Sequence, residues 1–290
     1  MLHYRNIYRL ISCLMLYTCS NAAAASAELR TDTSGYKLIW ADEFNIDGRP
    51  DTANWNYESG FVRNSELQWY QPDNAHCENG MLVIEARKVT RSNPGFVKES
   101  PDWRKRREQI DYTSSCLLTR GKQSWLYGRF EMRARIGISP GMWPAWWTLG
   151  EKQPWPGNGE IDIMEYYRGK LLANIACLGE NKKAHWFSNV FSTDSLGGNE
   201  WTARFHTWRM DWTPDFIALY CDDLFLNKVA LDSLVNKDGS GFNPFRQPHY
   251  MLLNLAIGGD NGGDPSGTAF PQRMEVDYVR VYQEGRDGRK

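Results

Sequence analysis

Arg129-Phe130-Glu131-Met132-Arg133-Ala134-Arg135-Ile136 sets an apolar side chain at every second position with a charged one before each. Period two is the repeat of an extended strand, whose successive side chains point to opposite faces, so this run is a strand with one buried and one wet face. The same alternation puts Trp208, Met210 and Trp212 on one face and Arg209 and Asp211 on the other. Met81 to Ala86, Tyr112 to Leu118, Leu172 to Leu178, Phe216 to Tyr220, Tyr250 to Ile257 and Met274 to Tyr282 are further β-rich runs, separated by clusters of Gly, Pro, Asn and Asp. No stretch sustains helical spacing; Asp223 to Asn236 has room for a turn or two of helix before the loop Lys237-Asp238-Gly239-Ser240-Gly241. With no internal repeat and no flexible linker, the expectation is an all-β chain folded as one two-sheet sandwich.

The composition agrees. Of 290 residues 41% are hydrophobic and 24% charged, which supports a sizeable core and excludes disorder. Lys and Arg number 34 against 35 Asp and Glu, so the charge balance offers no electrostatic hold on nucleic acid or anionic lipid. Acids interrupt the basic run within Lys98 to Glu108, which reads as a solvated loop. The chain opens with Arg5 and Arg9, the apolar run Leu10 to Tyr17 and the small residues before Ala27, the pattern of a secretory leader spanning residues 1–27. Residues 28–290 then form a single domain, exported to the periplasm or the exterior. Leu16-Tyr17-Thr18-Cys19 is the competing reading, a lipoprotein-like leader with lipid on Cys19. No later segment approaches the roughly 20 apolar residues of a membrane span, and a monomer is expected. Cys77, Cys116, Cys177 and Cys221 are spaced too widely for a zinc knuckle or a CxxC pair, and their pairing stays open.

Chemistry concentrates in Gly159-Glu160-Ile161-Asp162-Ile163-Met164-Glu165-Tyr166-Tyr167. On a regular strand Glu160 and Asp162 share one face and Ile161 and Ile163 the other, which would turn Glu165 into the core. Burying an unpaired carboxylate is expensive, so a β-bulge near Ile163-Met164 is predicted, returning Glu165 to the acidic face. Crowded carboxylates raise the pKa of at least one of them. That suits glycoside hydrolysis, in which one carboxyl donates a proton while another stays ionised. An exposed acidic strand or a cation site is the competing reading of the triplet alone.

The aromatic residues favour the first reading. The chain holds 13 Trp, several within Pro140-Gly141-Met142-Trp143-Pro144-Ala145-Trp146-Trp147 and others at Trp155 and Trp186. Indoles offer flat apolar faces on which sugars stack. Whichever of Trp146 and Trp147 points inward belongs to the core; Trp143, between a loop and a strand, is expected to line a cleft.

Gly159 to Glu165 resembles the E-x-D-x-x-E signature of glycoside hydrolase family 16 in its bulged form. Trp40-Ala41-Asp42-Glu43-Phe44, Asn64-Ser65-Glu66-Leu67-Gln68-Trp69-Tyr70, Trp143-Pro144-Ala145-Trp146-Trp147, Leu253-Asn254-Leu255-Ala256-Ile257-Gly258-Gly259 and Val276-Asp277-Tyr278-Val279-Arg280-Val281-Tyr282 resemble further family motifs in the expected order. The resemblance implies a jelly-roll sandwich with an open concave cleft and a retaining endo-hydrolase of β-linked polysaccharide. It implies Glu160 as nucleophile, Glu165 as acid/base and Asp162 as the helper between them. It places Trp143, Trp147, Glu66, Gln68, His185, Trp186 and Asn254 among substrate-binding residues. No cofactor is required; Glu43, Gly80 and Asp277 match the neighbourhood of a structural calcium in several relatives.

A β-1,3-glucanase of the laminarinase type is the main expectation. The strand before His185 reads Ala173-Asn174-Ile175-Ala176-Cys177 where laminarinases carry a Thr-x-His pattern, so a galactanase acting on agar-like, porphyran-like or mucin-type chains is the alternative on the same acids. A non-catalytic lectin is the reading from another class; three crowded acids are more than sugar binding needs. A transglycosylase would look the same in sequence.

Overall fold

The computed structural model describes residues 35–285. The leader and Cys19 lie outside the described residues. Two sheets face each other. In one, the order across the sheet is Leu224–Ala230, Phe216–Cys221, His206–Trp212, Gly128–Arg135, Gln272–Glu284, Met81–Ser92, Gln109–Ser114 and Gln68–Tyr70, with Tyr36–Asp42 and Ala75–Glu78 pairing onto it. In the other it is Ala184–Ser192, Lys170–Leu178, Glu160–Tyr167, Met142–Gly150, His249–Ile257, Cys116–Leu118 and Asn56–Tyr57. The sandwich expected from the period is what forms, and its sheets are not closed into a barrel.

Alternation places the core. Phe130, Met132 and Ala134 pack with Trp208, Met210 and Trp212 on the inner face of the first sheet, all at most 1% exposed. Trp146, Ile161, Ile163, Met164, Ile175, Leu253 and Leu255 meet them from the second sheet. Burying each such side chain contributes about 1.5–3 kcal/mol, so the interleaved inner faces fix which face of the second sheet is left for chemistry. The indole surplus divides accordingly: Trp55, Trp146, Trp208 and Trp212 are fully buried, whereas Trp155 and Trp186 are exposed.

Three segments differ from the reading of the sequence. Asp223 to Asn236 holds no α-helix: Leu224–Ala230 pairs with Phe216–Cys221, and only Leu231–Ser233 turns as a short 3-10 helix. Its apolar residues close a hairpin, which a helical reading would leave without a partner. The run Tyr112 to Leu118 is two strands broken at Ser115, each pairing into a different sheet. The basic segment is not merely solvated. Trp103–Arg106 forms one helical turn, the Arg107 guanidinium lies over Phe61 and Trp103, and it donates to the backbone carbonyls of Ser65 and Glu66. All four described cysteines are buried and free. Among the described residues no helix is long and apolar enough to cross a membrane.

Candidate active site

The acidic strand Glu160–Tyr167 lies between Met142–Gly150 and Lys170–Leu178. Its register against the first neighbour runs Asp162↔Trp147, then Met164↔Trp146 and Glu165↔Ala145, so two residues on the acidic strand take the space of one. Against the second neighbour the register shifts between Asp162↔Asn174 and Glu165↔Leu172. This is a β-bulge at Ile163-Met164. Ile161, Ile163 and Met164 all enter the core, and Glu160, Asp162 and Glu165 emerge on the opposite face. The strand is entered through Gly159 at φ +77, where a Cβ would stand 2.9 Å from Pro244. Only glycine fits that turn.

Hydrogen bonds join the acids into one chain. Trp155 Nε1 donates to Glu160 Oε2, and Glu160 and Asp162 share a hydrogen bond. Asn174 Nδ2 donates to Asp162 Oδ2 (3.2 Å) and to Glu165 Oε2 (2.8 Å). Trp143 Nε1 donates to Glu165 Oε1 (2.8 Å). The electrostatics follow from burial first. Desolvation pushes Glu165 up to about 7, helped by the charge of Glu160 and opposed by the Trp143 and Asn174 donors. Asp162 is held well above the usual carboxylate range by burial and then by its two acidic neighbours. Glu160 is also raised by burial, but hydrogen bonds from Trp155 and Asp162 and the charge of Arg63 pull the other way. A neutral Asp162 that donates its proton to Glu160 therefore favours ionised Glu160 beside protonated Glu165.

The surrounding cleft, about 390 Å³, has the size of a ligand site. Its floor is Ala145, Trp147, Leu149 and Asn254, with Trp143 beside the acids. Trp147 Nε1 donates to Asn254 Oδ1 (2.8 Å), and Asn254 Nδ2 donates to the Tyr70 hydroxyl (3.2 Å), so both side chains are fixed. Arg63 lies over the Trp147 ring (5.1 Å) and pairs with Glu58. Glu66 lines the cleft, 3% exposed, accepting from Asn64 (3.2 Å) and Gln68 (2.7 Å). Trp186 reaches the cleft from the edge strand, on the rung of Glu160 with Ala176 between them. Trp155 stands on the loop between two sheet strands, which Gln247 and Asn236 hold through Lys152 N, Asn158 O and Gly157 O.

Several residues named from the sequence stand elsewhere. Gln68 is fully buried and makes no part of the cleft wall: its amide accepts from Ile257 N (2.7 Å) and donates to Glu66, tying a loop strand to the central sheet. His185 neighbours Trp186 on a strand and so points to the opposite face, where it packs edge-on against Phe187. Asp277 pairs with Arg133 (2.6 Å), and Glu43 forms two hydrogen bonds to Arg280 (2.7 Å each). Carboxylates already neutralised by guanidinium groups fit a calcium ion poorly through their side chains. His206, Cys221 and Asp222 cluster away from the cleft, but His206 Nδ1 is bonded to Asp222 and Nε2 faces Trp201 O, so neither nitrogen is open to a metal. Conversely, Arg63, Asn64, Trp155 and Asn174 belong to the site without having been singled out for it. Asn64 opens the quoted Glu66 motif and Arg63 immediately precedes it, which was their signal. Asn174 carries its signal in being polar within an otherwise apolar strand.

Comparison with known families matches residues 63–280 to glycosyl hydrolases family 16. A beta-glucanase of Rhodothermus marinus is 36% identical over 266 residues, covering 86% of this chain and 85% of that protein. A solved structure from work on endo-acting O-glycanases with which human gut bacteria initiate mucin breakdown superposes with a TM-score of 0.79 at 33% identity, covering 88% of this chain and 93% of the other. The laminarinase catalytic domain from Thermotoga maritima MSB8 gives a TM-score of 0.72 at 31% identity, covering 86% and 99%.

Proposed function

The chain belongs to glycosyl hydrolase family 16 and is a glycoside hydrolase, and from that premise we propose that it cleaves the interior of a β-linked polysaccharide, β-1,3-glucan foremost, by double displacement. The observation that carries the reading is the hydrogen-bonded chain from Trp155 through Glu160, Asp162 and Asn174 to Glu165 and Trp143, at the base of an aromatic cleft. Glu160 attacks the anomeric carbon while Glu165 gives its proton to the departing glycosidic oxygen, leaving a glycosyl ester on Glu160. Glu165, now a carboxylate, takes a proton from water, which attacks the same carbon and frees Glu160 with the anomeric configuration retained. Asp162 donates its proton to Glu160 as a hydrogen bond and keeps the nucleophile in place. Trp147, Trp186 and Trp155 offer faces to sugar rings, and Glu66 and Asn254 offer oxygens to hydroxyl groups. Export of the chain would suit a polymer met outside the cell. No step passes through a metal.

A second reading, an endo-galactanase on mucin-type chains, is favoured by the TM-score of 0.79 to the O-glycanase structure and by Asn174 and Ala176 in place of the laminarinase pattern. Reducing-sugar release from laminarin, mixed-linkage β-glucan, agarose, porphyran, carrageenan and mucin glycans, with wild type and Glu160→Gln side by side, tests both. Release from laminarin by the wild type alone supports the first reading, and release from mucin glycans alone the second. Release from no polymer, with binding to one, would replace both by a lectin.

A further inference from the structure

Asn174 is an amide in the middle of the strand Lys170–Leu178, whose residues from Leu171 to Cys177 are otherwise apolar and buried. It stands directly opposite Asp162 in the antiparallel register and so shares its face. Its single amino group reaches two carboxyl oxygens, Asp162 Oδ2 and Glu165 Oε2, whereas its carbonyl oxygen is buried without a partner. An orphaned buried acceptor is destabilising, and a small apolar residue in this strand would avoid it. The position is therefore not optimised for the fold, and what the amide supplies is its pair of N–H donors.

We infer that Asn174 is a positioning residue that ties the helper acid to the acid/base: its amide donates to Asp162 Oδ2 and to Glu165 Oε2 at once and favours the ionised form of Glu165. Glu165 Oε1 accepts from Trp143 Nε1, and the carboxylate left once the Glu165 proton has gone to the glycosidic oxygen keeps the Asn174 donor on Oε2. The amide thus favours the ionised form of Glu165 and makes it a stronger acid. The inference rests on the reading of Glu165 as the acid/base. The groups acting on Glu165 are Glu160, Asp162 and Tyr167 from its own strand, Trp143 from one neighbour and Asn174 from the other; Arg63 and Glu66 face the cleft from the loop opposite. Among these, Trp143 and Asn174 are the neutral donors.

The test is the pH dependence of kcat/KM for Asn174→Ala and Asn174→Thr on polysaccharide and on an aryl glycoside with a good leaving group, with thermal unfolding recorded. Asn174→Ala should move the alkaline limb to higher pH by about one unit. It should also lower turnover of polysaccharide about tenfold more than turnover of the aryl glycoside, which needs no acid. Asn174→Thr, with one donor left, should shift the limb in the same direction by less, and it carries the test if the alanine variant does not fold. A folded variant with an unmoved alkaline limb, or with equal losses on both substrates, overturns the inference. Glu165→Ala serves as the control: full activity there would remove the acid/base reading itself, whereas loss there with a silent Asn174 removes only this inference.

Discussion

Two indole N–H groups point at different carboxylates, so replacing each by phenylalanine should move opposite limbs of the same pH profile. Activity on the acid side requires ionised Glu160, and on the alkaline side protonated Glu165, whose pKa lies at about 7. A donor to a carboxylate favours its ionised form, so losing the donor raises the pKa in both cases. Trp143 is 6% exposed and its bond to Glu165 Oε1 is 2.8 Å. A buried hydrogen bond to a charged group is worth about 1.5–3 kcal/mol, which at 1.36 kcal/mol per unit raises the Glu165 pKa by about 1–2 units. Trp143→Phe therefore broadens the profile by moving its alkaline limb upward. Trp155 is 53% exposed, so water replaces most of the lost donor; about 1 kcal/mol remains. Trp155→Phe should raise the acid limb by just under one unit and narrow the profile. The assay is kcat/KM against pH on one soluble oligosaccharide, with circular dichroism to show that both variants fold. If both substitutions move the same limb, or if neither moves a limb, the assignment of roles to Glu160 and Glu165 is wrong.

Glu160→Gln should lower hydrolysis by roughly 10,000-fold, the scale for losing a nucleophile, while oligosaccharide binding and thermal stability stay near wild type; turnover close to wild type in that variant would remove Glu160 from the mechanism. Glu165→Ala should fail on polysaccharide yet recover with azide on an activated aryl glycoside, yielding the glycosyl azide of retained configuration, because azide needs no general base. An inverted azide product would contradict double displacement. Gln68→Ala strands the Ile257 N–H and one partner of Glu66, which should cost about 1–3 kcal/mol in urea unfolding. Unchanged stability with a sharply raised KM would return Gln68 to the cleft.

The acidic strand and its bulge were legible because two rules collide there: period two sends Glu165 inward, and the cost of a buried unpaired carboxylate forbids it. Met142–Gly150 was harder to see as a strand. Both its faces are covered, Trp146 by the core and Trp143 and Trp147 by the cleft residues, so alternation is absent. Ala184–Ser192 fails for the opposite reason, being an edge strand on which only Ala184, Phe187 and Phe191 are partly buried, too few to mark a period. Trp155 and Asn174 reach the acids through a loop path and a cross-strand register, neither of which one chain segment encodes. Glu66 and Gln68 show the same limit: two residues on one side of an extended run part company because Gln68 meets the Ile257 backbone and Glu66 does not. The arginine partners of Asp277 and Glu43 depend on which strands become neighbours, which the motif alone leaves open.

The central claim is a covalent glycosyl ester on Glu160. A 2-deoxy-2-fluoro glycosyl fluoride of the preferred sugar, which forms that ester readily and hydrolyses it slowly, followed by peptide mapping in a mass spectrometer, tests it directly. The account predicts stoichiometric inactivation with the label on Glu160. A label on Asp162 or Glu165, or steady turnover of the reagent with no labelled peptide, would contradict it.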